Sequence, residues 1–395
     1  MTQTLPSAPW TRREDLAALA DILGADSLRW VGGAVRDTLL GAEVKDVDAA
    51  TPLLPQTVMD LLDRAGIRTV PTGIDHGTVT AILAGGPVEI TTLRKDVGTD
   101  GRRATVAFAS EWRDDAARRD FTINALYADP KTLAISDFFG GLEDLAARRV
   151  RFIGDARERI REDHLRILRY FRFHARFGAA VDAEAEAACA ELAGTLKGLS
   201  RERVAMELLA LLALPDPQPT IARMKDLGVL PVILPEAGKA QIASLAALTE
   251  IEQRVTAEPA PLRRLAALLP PVATLAESVA ARLRLSRAQR ERLVSLARRI
   301  PADAEDPRAL AYREGPANAR DRLLLAGADP AALDGWDTPR LPLKGRDIMA
   351  RGIAAGPEIA RILQAVETLW IAEGFPDRER ALRLLDDILE GREAP

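Results

Sequence analysis

The sequence predicts an α+β protein in which a small mixed sheet with helices is followed by a long, all-helical part. Two observations lead to this fold class. β-Branched residues and glycines concentrate between residues 28 and 140. After about residue 142 the chain is rich in Ala, Leu, Arg and Glu, and prolines divide it into short helical segments. A change of composition this sharp predicts a domain boundary near residue 141.

Short runs of β-type residues predict the strands of the first part, and apolar spacing predicts its helices. The predicted strands are residues 30–33, 44–50, 78–83, 88–93 and 105–108. A helix is predicted over 52–65, and another extends from Gly154 to about Arg176. We therefore expect an N-terminal domain at 1–141, followed by three helical regions. These are a neck at 142–214, a body at 215–300 and a tail at 301–395.

Charge and cysteine content exclude several classes of protein. The chain has 395 residues, a net charge of −4 and one cysteine, Cys189, which rules out an intramolecular disulfide. Three histidines are too few to complete a zinc cluster with it. We recognise no secretory signal and no apolar stretch long enough to span a membrane. The expectation is a cytoplasmic protein without a membrane partner.

The strongest chemical signal lies in residues 30–51. A strand ends in two glycines, the second being Gly33, a helical turn carries Arg36, and the next strand carries Asp46 and Asp48. Strand residues two apart face the same side, so the two carboxylates form an oxygen-lined site of the kind that Mg²⁺ prefers. A glycine turn before a helix, with an arginine, suits a phosphate. Either half alone is more typical of ordinary structure, whereas both together favour a nucleotide site.

Two further motifs follow along the chain. Residues 118–126 read RRDFTINAL, where paired arginines are suited to a triphosphate and Asp120 to pinning one of them. Residues 162–169 read EDHLRILR and fall on the helix predicted after Gly154. Between residues 148 and 176 there are ten arginines against four acidic residues. This excess predicts a basic patch inside an acidic protein.

In this order and spacing the three motifs resemble those of the nucleotidyltransferase superfamily related to DNA polymerase β. More narrowly, they resemble the class II tRNA nucleotidyltransferases and bacterial poly(A) polymerases. The resemblance covers about residues 28–210, with weaker support from residues 345–347 and 352–357. It implies a catalytic head at 1–141 in which Asp46 and Asp48 are catalytic and hold Mg²⁺. It also implies nucleotide binding by Gly33, Arg36, Arg119, Asp163, Arg166, Arg169 and Arg172.

The resemblance assigns base selection to Asp163 and Arg166, which hydrogen-bond the Watson–Crick edge of the incoming base in place of a template. A carboxylate accepts from the amino group that cytosine and adenine carry, whereas guanine and uracil present oxygen at that position. C and A are therefore accepted, and G and U rejected. The residues expected to contact the triphosphate or to hold the recognition residues are Arg36, Arg119, Arg169 and Arg172.

Three other segments carry weaker expectations. Glu89 is either a third carboxylate near the metals or an exposed strand residue, and the sequence favours neither. Residues 100–104 resemble the loop that helps to switch such enzymes from C to A, although Ala104 replaces an expected proline. Residues 73–77, GIDHG, resemble the version found in tRNA nucleotidyltransferases, and we expect His76 to be structural. The helical tail is expected to hold tRNA through spaced arginines.

The resemblance implies template-independent addition of C, C and A to the 3′ end of tRNA by two-metal nucleotidyl transfer, with release of pyrophosphate. The expected partners are the tRNA 3′ end, CTP and ATP, and no protein partner is predicted. Two alternatives remain within the same class, namely a poly(A) polymerase and an enzyme that adds only CC or only A. An alternative from another class is an RNA-binding protein that has lost its chemistry.

Overall fold

A computed structural model describes residues 3–74, 77–99, 104–178 and 180–391. The chain divides into two compact units, residues 1–235 and 236–395. The predicted α+β class is confirmed, since within the described residues every strand lies before residue 138 and helices follow. The finer division into head, neck, body and tail stays a prediction.

The first unit is built around a mixed sheet. Its strands are β1 Arg29–Val31, β2 Val47–Thr51, β3 Thr69–Gly73, β4 Thr78–Leu83, β5 Gly86–Thr92, β6 Arg94–Thr99, β7 Ala104–Phe108, β8 Leu126–Ala128 and β9 Ile135–Asp137. Seven of these form one sheet in the order β3-β4-β5-β2-β1-β8-β9, and β6 and β7 form a separate hairpin. The β2–β5 pair is parallel and its neighbours are antiparallel.

Alternation along the strands gives this sheet one apolar and one polar face near its centre. The buried residues of β2 and β5 on the apolar face include Val47, Ala49, Val88 and Ile90. Because strand side chains alternate, Asp48 and Glu89 lie on the other face, directly opposite each other in the parallel register. The sheet therefore presents carboxylates on its polar face.

The two edges of the sheet are treated differently. At one edge, Thr4 bridges to Ala134 beside β9, and the amide of Leu5 donates to the carbonyl of Leu133. At the other edge, β3 contains Pro71 and an irregular register with β4. Neither edge offers a long, regular row of free backbone groups.

Helices of the first unit surround the sheet and continue beyond it. They are α1 Glu14–Leu23, α2 Gly33–Leu39, α3 Pro55–Arg64, α4 Trp112–Ala117, α5 Gly141–Ala146, α6 Ala156–Glu162, α7 Arg166–Phe177, α8 Ala183–Glu191, α9 Arg201–Leu212, α10 Gln218–Asp226 and α11 Leu230–Ile233. The helix predicted over 52–65 is confirmed as α3, which begins with Pro55 in its first turn.

The single helix predicted after Gly154 is wrong, because the chain breaks into α6 and α7. Asp163 has extended backbone angles of φ −149° and ψ 104°, and α7 begins three residues later. The stretch contains no Gly or Pro that would signal the break. The turn is instead held by tertiary contacts, since Arg166 donates to the carbonyl of Arg118 at 3.0 Å and to Glu162 at 2.6 Å.

The second unit is helical throughout its described residues. Its helices are α12 Lys239–Arg254, α13 Pro261–Ala267, α14 Ala273–Arg282, α15 Arg287–Ala297, α16 Pro307–Glu314, α17 Pro316–Leu325, α18 Gly345–Met349, α19 Pro357–Ala372 and α20 Arg378–Leu389. Proline opens four of them, where its missing N–H costs no helical hydrogen bond. One core surrounds Trp370, with Ile348 and Leu384 buried beside it. None of the described helices combines the length and apolar character needed to cross a membrane.

A buried charge network ties several helices of this unit together. Glu252 accepts from Arg263 at 2.7 Å and from Arg264 at 2.8 Å, and all three side chains are almost fully buried. Arg263 also donates to Asp321 at 2.8 Å, and Asp321 accepts from Arg292 at 2.5 Å. Buried ions must be paired, so the network links α12, α13, α15 and α17.

Glu252→Ala should strongly destabilise the protein, because it removes the carboxylate shared by two buried guanidinium groups. We expect a loss of about 3–5 kcal/mol in the free energy of unfolding, measured by urea denaturation. The control is Glu291→Ala, which breaks the exposed pair of Arg287 and Glu291 and should cost less than about 1 kcal/mol. Equal effects of the two substitutions would contradict the role of the network.

Candidate functional site

Three carboxylates gather on the polar face of the sheet. Asp48 lies within β2 and is half-buried, Asp46 is exposed just before that strand, and Glu89 lies opposite Asp48 on β5. The predicted convergence of Asp46 and Asp48 thus has Glu89 as an additional neighbour. Glu89 is an exposed strand residue and also lies opposite Asp48, so both features that the sequence left open for it are present, and a role at a metal stays a prediction.

The electrostatics of Asp48 reflect this crowding. Burial, followed by the negative charge of Glu89, raises the pKa of Asp48 to about 6, although Arg119 acts in the opposite direction. Among the described residues, no group of three or more His, Cys, Asp or Glu side chains is arranged as a metal cage. Asp46 and Asp48 nevertheless offer hard oxygen donors, and a divalent cation is often held by one or two carboxylates together with substrate phosphates. A divalent cation would supply the positive charge that the carboxylates lack.

The glycine turn lies beside these carboxylates. Gly32 has φ 70°, a conformation that favours glycine, and Gly33 is the first residue of α2. One cavity is bordered by Gly33, Arg36, Asp46 and Asp48, so the structure brings both halves of the motif together. From the other side, the indole of Trp10 donates to the Thr38 hydroxyl at 2.8 Å and holds α2 in place.

Arg36 is buried within a set of fixed partners. It donates to Asp37 at 2.8 Å and to the side-chain oxygen of Asn124 at 2.5 Å. Its guanidinium also lies 4.5 Å from the ring centre of Phe177 and 5.3 Å from that of Phe173. Arg36 therefore joins α2 to the loop of the second motif and to α7, and a direct contact with a phosphate stays a prediction.

The paired arginines of the second motif are held by Asp115. This carboxylate accepts from Arg118 at 2.8 Å, from Arg119 at 3.2 Å and from the Tyr127 hydroxyl at 2.7 Å. Burial opposes ionisation, but the charges of both arginines outweigh it and lower the pKa of Asp115 to about 2. The expectation that Asp120 pins one of this pair is wrong, because Asp115 performs that task from the preceding helix.

Asp120 instead connects the loop to α7. It accepts from Arg169 at 2.7 Å, from the Asn124 side-chain amide at 3.0 Å and from the backbone N–H of Phe121 at 2.9 Å. Burial raises the pKa of this carboxyl, and Arg169 and Asn124 outweigh that effect and lower it to about 2. Since Asn124 also binds Arg36, a continuous polar chain runs from α2 to α7.

The break between α6 and α7 places Asp163 and Arg166 near the second motif. Arg166 reaches the carbonyl of Arg118, whose side chain borders the cavity that contains Asp48 and Glu89. Asp163 accepts from Arg203 of α9 at 2.7 Å. The third motif is thus joined to the second through the backbone of Arg118, although Asp163 and Arg166 do not border the carboxylate cavities.

Arg169 and Arg172 share a partner on α9. Glu207, which is buried, accepts from Arg172 at 2.6 Å and lies 3.6 Å from Arg169. Arg172 also stacks on Phe173 at 4.6 Å. These contacts support the expected role of the two arginines in holding the recognition helix, while contact with a triphosphate stays a prediction.

The predicted basic patch between residues 148 and 176 is largely neutralised. Acidic residues from other parts of the fold meet its arginines, and counting charges along the segment could not detect them. The pairs are Arg149 and Arg151 with Asp144, Arg157 with Glu191, Arg169 with Asp120, Arg172 with Glu207, and Arg176 with Asp37. Within the segment, Arg159 and Arg166 pair with Glu162.

Sequence reasoning missed several residues that shape this site. Asp115 had a usable signal, since it lies three and four residues before the paired arginines on a helix. No sequence pattern identifies Tyr127 or Glu207, because only the folded structure places them beside Arg119 and Arg172. Two other expectations concern residues outside those that the structure describes. They are the structural role of His76 and the switching role of the loop at residues 100–103.

Two family profiles match the chain. The first, described as the poly A polymerase head domain, covers residues 28–151. The second, described as the probable RNA and SrmB-binding site of polymerase A, covers residues 178–240.

Relatives match over most of the chain. Mouse mitochondrial CCA tRNA nucleotidyltransferase 1 is 36% identical over 384 residues, which is 92% of this chain and 87% of that protein. The human protein of the same name has the same identity and coverage. The crystal structure of the Bacillus stearothermophilus CCA-adding enzyme in complex with CTP has a TM-score of 0.77 and 27% identity, and the match covers 98% of this chain and 99% of that one.

The cytoplasmic location expected from the sequence is wrong by this comparison. The mouse and human relatives are mitochondrial enzymes by name, so these relatives do not support the cytoplasmic expectation. A single cysteine argues against an oxidising compartment, but it does not separate one thiol-reducing compartment from another. Cysteine content therefore could not distinguish a mitochondrial protein from a cytoplasmic one.

Asp120→Asn should remove a stabilisation that depends on pH. Because the pKa of Asp120 is about 2 in the folded protein against an ordinary 3.8, its ionised form stabilises the fold above about pH 4. This contribution is lost as the pH falls towards 2. At pH 6 we expect the variant to unfold about 2 kcal/mol more easily, by urea denaturation, and the difference to shrink between pH 4 and 2. A difference that stays constant would contradict this account.

Proposed function

Because the chain belongs to the CCA tRNA nucleotidyltransferase family, we propose that it adds C, C and A to the 3′ end of tRNA from CTP and ATP. Addition proceeds without a nucleic-acid template, and pyrophosphate is released. The observation that carries the proposal is the meeting of Asp46 and Asp48 with the Gly33 turn at one cavity. The neighbouring Glu89 adds a third carboxylate to the same surface.

Nucleotidyltransferases of this family generally use a divalent metal, and we propose that here it is Mg²⁺ held by Asp46 and Asp48. Their hard oxygen donors and the crowding around Asp48 support this assignment. When bound, the metal supplies activation of the attacking hydroxyl and stabilises charge on the α-phosphate. Glu89 is a candidate for a further contact because of its position beside Asp48.

The triphosphate would lie at the Gly33 turn. The N-terminus of α2 directs backbone N–H groups towards an anion there, and glycine allows close approach. Arg36 is already engaged by Asp37 and Asn124, so its main contribution is to fix the start of α2 against α7. Arg119, held by Asp115 and Tyr127, borders the neighbouring cavity and is placed to meet negative charge from that side.

Asp163 and Arg166 would read the incoming base. Asp163 already accepts from Arg203 and from the backbone N–H of Leu165, and it keeps acceptor capacity because an ionised carboxylate accepts up to about four hydrogen bonds. Arg166 is oriented by Glu162 and by the carbonyl of Arg118, which limits its freedom before a nucleotide binds. Side chains held in fixed positions in this way select bases by the geometry of their hydrogen bonds, without pairing to a template.

One assay separates the proposed function from its rivals. Purified protein is incubated with tRNA that ends before CCA, after C or after CC, with labelled CTP or ATP supplied separately, and product lengths are measured. We expect two C additions and then one A. A long A ladder would indicate a poly(A) polymerase, and no extension would indicate a binding protein without chemistry.

Asp46→Ala and Asp48→Ala should each abolish nucleotide incorporation, because each removes a carboxylate proposed to bind the metal. Circular dichroism should show an intact fold. The control is Asp60→Ala on α3, an exposed carboxylate whose described partner is Gln56, which should leave incorporation unchanged. Activity of either site variant within tenfold of wild type would contradict the metal assignment.

Asp163→Ala should relax base selection, because it removes the acceptor proposed for the cytosine and adenine amino groups. We expect the preference for CTP over UTP, measured as a ratio of kcat/KM, to fall about tenfold or more. Arg203→Ala should produce a smaller loss in the same ratio, since it frees Asp163 without removing it. Arg201→Ala, which loses only a bond to the Lys197 carbonyl among its described contacts, is the control. Unchanged selectivity of the Asp163 variant would contradict the assignment.

A further inference from the structure

A pair of threonine hydroxyls lies on the carboxylate face of the sheet, and none of the roles described above uses it. Thr91 follows Glu89 by two residues on β5, so both side chains lie on the same face. Thr78 lies directly opposite Thr91 on β4, and the two hydroxyl oxygens are 3.1 Å apart. A similar pair, Thr72 and Thr80 at 2.7 Å, continues this polar surface towards the sheet edge.

Thr91 belongs to the second of two cavities that share Asp48. The first is bordered by Asp48 together with Gly33, Arg36 and Asp46. The second is bordered by Asp48 together with Glu89, Thr91 and three arginines. Asp48 is therefore the residue at which the two cavities meet.

This division matches the geometry of nucleotidyl transfer. Attack on the α-phosphate is in line, so the incoming hydroxyl approaches from the side opposite the departing pyrophosphate. If the β- and γ-phosphates lie at the Gly33 turn, the hydroxyl must approach from the other side of Asp48. That side is the cavity containing Glu89 and Thr91.

We propose that the Thr91 hydroxyl, held in place by its hydrogen bond to Thr78, binds the 2′-hydroxyl of the terminal ribose of the RNA primer, and so selects an RNA end over a DNA end. The inference rests on the proposed function. Two hydroxyls that bond to each other use one of their two protons, which leaves one proton and several lone pairs for a ligand. A ribose 2′-hydroxyl both donates and accepts, and it is the group that distinguishes RNA from DNA at a given position.

The chemistry of the pair suits a primer end whose base changes during the reaction. The terminal base differs before and after C addition, but the ribose is the same at every step. A contact confined to the sugar therefore serves each of the three additions equally. Neither threonine supplies a charge, so the contact selects the primer without competing with the carboxylates for the metal.

The test compares two tRNA substrates that lack CCA and differ only at the 3′-terminal sugar, ribose or 2′-deoxyribose. kcat/KM for the first C addition is measured for wild type, Thr91→Val, Thr91→Ser and Thr78→Val. Valine keeps the branched shape and strand preference of threonine but has no hydroxyl. The control is Thr69→Val on β3, which pairs with Ala81 on the opposite face of the sheet.

We expect wild type to prefer the ribose substrate by about fivefold to tenfold, the value of one hydrogen bond. Thr91→Val should lose this preference, Thr91→Ser should keep most of it, Thr78→Val should reduce it, and Thr69→Val should leave it unchanged. A preference that Thr91→Val retains would overturn the proposal. A change in the preference for CTP over dCTP, with the primer preference intact, would assign the pair to the incoming nucleotide and would also overturn it.

The outcome separates this inference from the proposed function. If wild type adds C to both substrates without preference, the inference fails and the proposed function stands. If wild type extends neither substrate, the proposed function fails and the inference fails with it. Thermal unfolding of each variant shows whether a loss of activity comes from misfolding. If Thr91→Val is misfolded, the ribose preference of Thr91→Ser is compared with that of wild type instead.

Discussion

The arrangement of the site depends on one buried carboxylate, Asp120. It holds Arg169 of α7 on one side and Asn124 on the other, and Asn124 holds Arg36 of α2. Three segments that are far apart in sequence are thereby fixed to one another by charged and polar groups with little access to water. Such a network is stable only when every member has its partner, because an unpaired buried charge is costly. The position of the Gly33 turn relative to α7 therefore depends on these polar side chains, together with the packing of Arg36 on Phe173 and Phe177.

A second constraint is the polar face of the sheet. Parallel pairing of β2 and β5 brings Glu89 beside Asp48, and repulsion between them makes the site receptive to a cation. Strand alternation keeps the opposite face apolar, so Asp48 and Glu89 are held by paired strands above a buried core, whereas Asp46 lies just before β2. With Asp48 at the meeting point of two cavities, one group can serve both the entering and the departing side of a phosphate. Asp48 is therefore held in a fixed position at the border of both cavities.

Local chemistry could be predicted from the sequence better than long-range pairing. The α+β class, helix α3 and the convergence of Asp46 with Asp48 followed from composition, periodicity and alternation. Strands β8 and β9, with three residues each, and the polar β6 were missed because they carry too little periodic signal, and β3 was missed because it contains Pro71. The break at Asp163 was missed because tertiary contacts impose it. The apparent basic patch shows the same limit, since its neutralising carboxylates come from α2, α5, α8 and α9 and from the loop that contains Asp120.

The closed edges of the sheet have a consequence for behaviour in solution. The outer strands of any open sheet carry unpaired backbone groups, which are templates for pairing with another chain. Backbone hydrogen bonds from residues 3–5 cover the start of one outer strand, and Pro71 with the irregular register of β3 disrupts the other. The rim of the sheet is thereby protected against pairing with a second chain, and the residues of its polar face do not have to provide that protection.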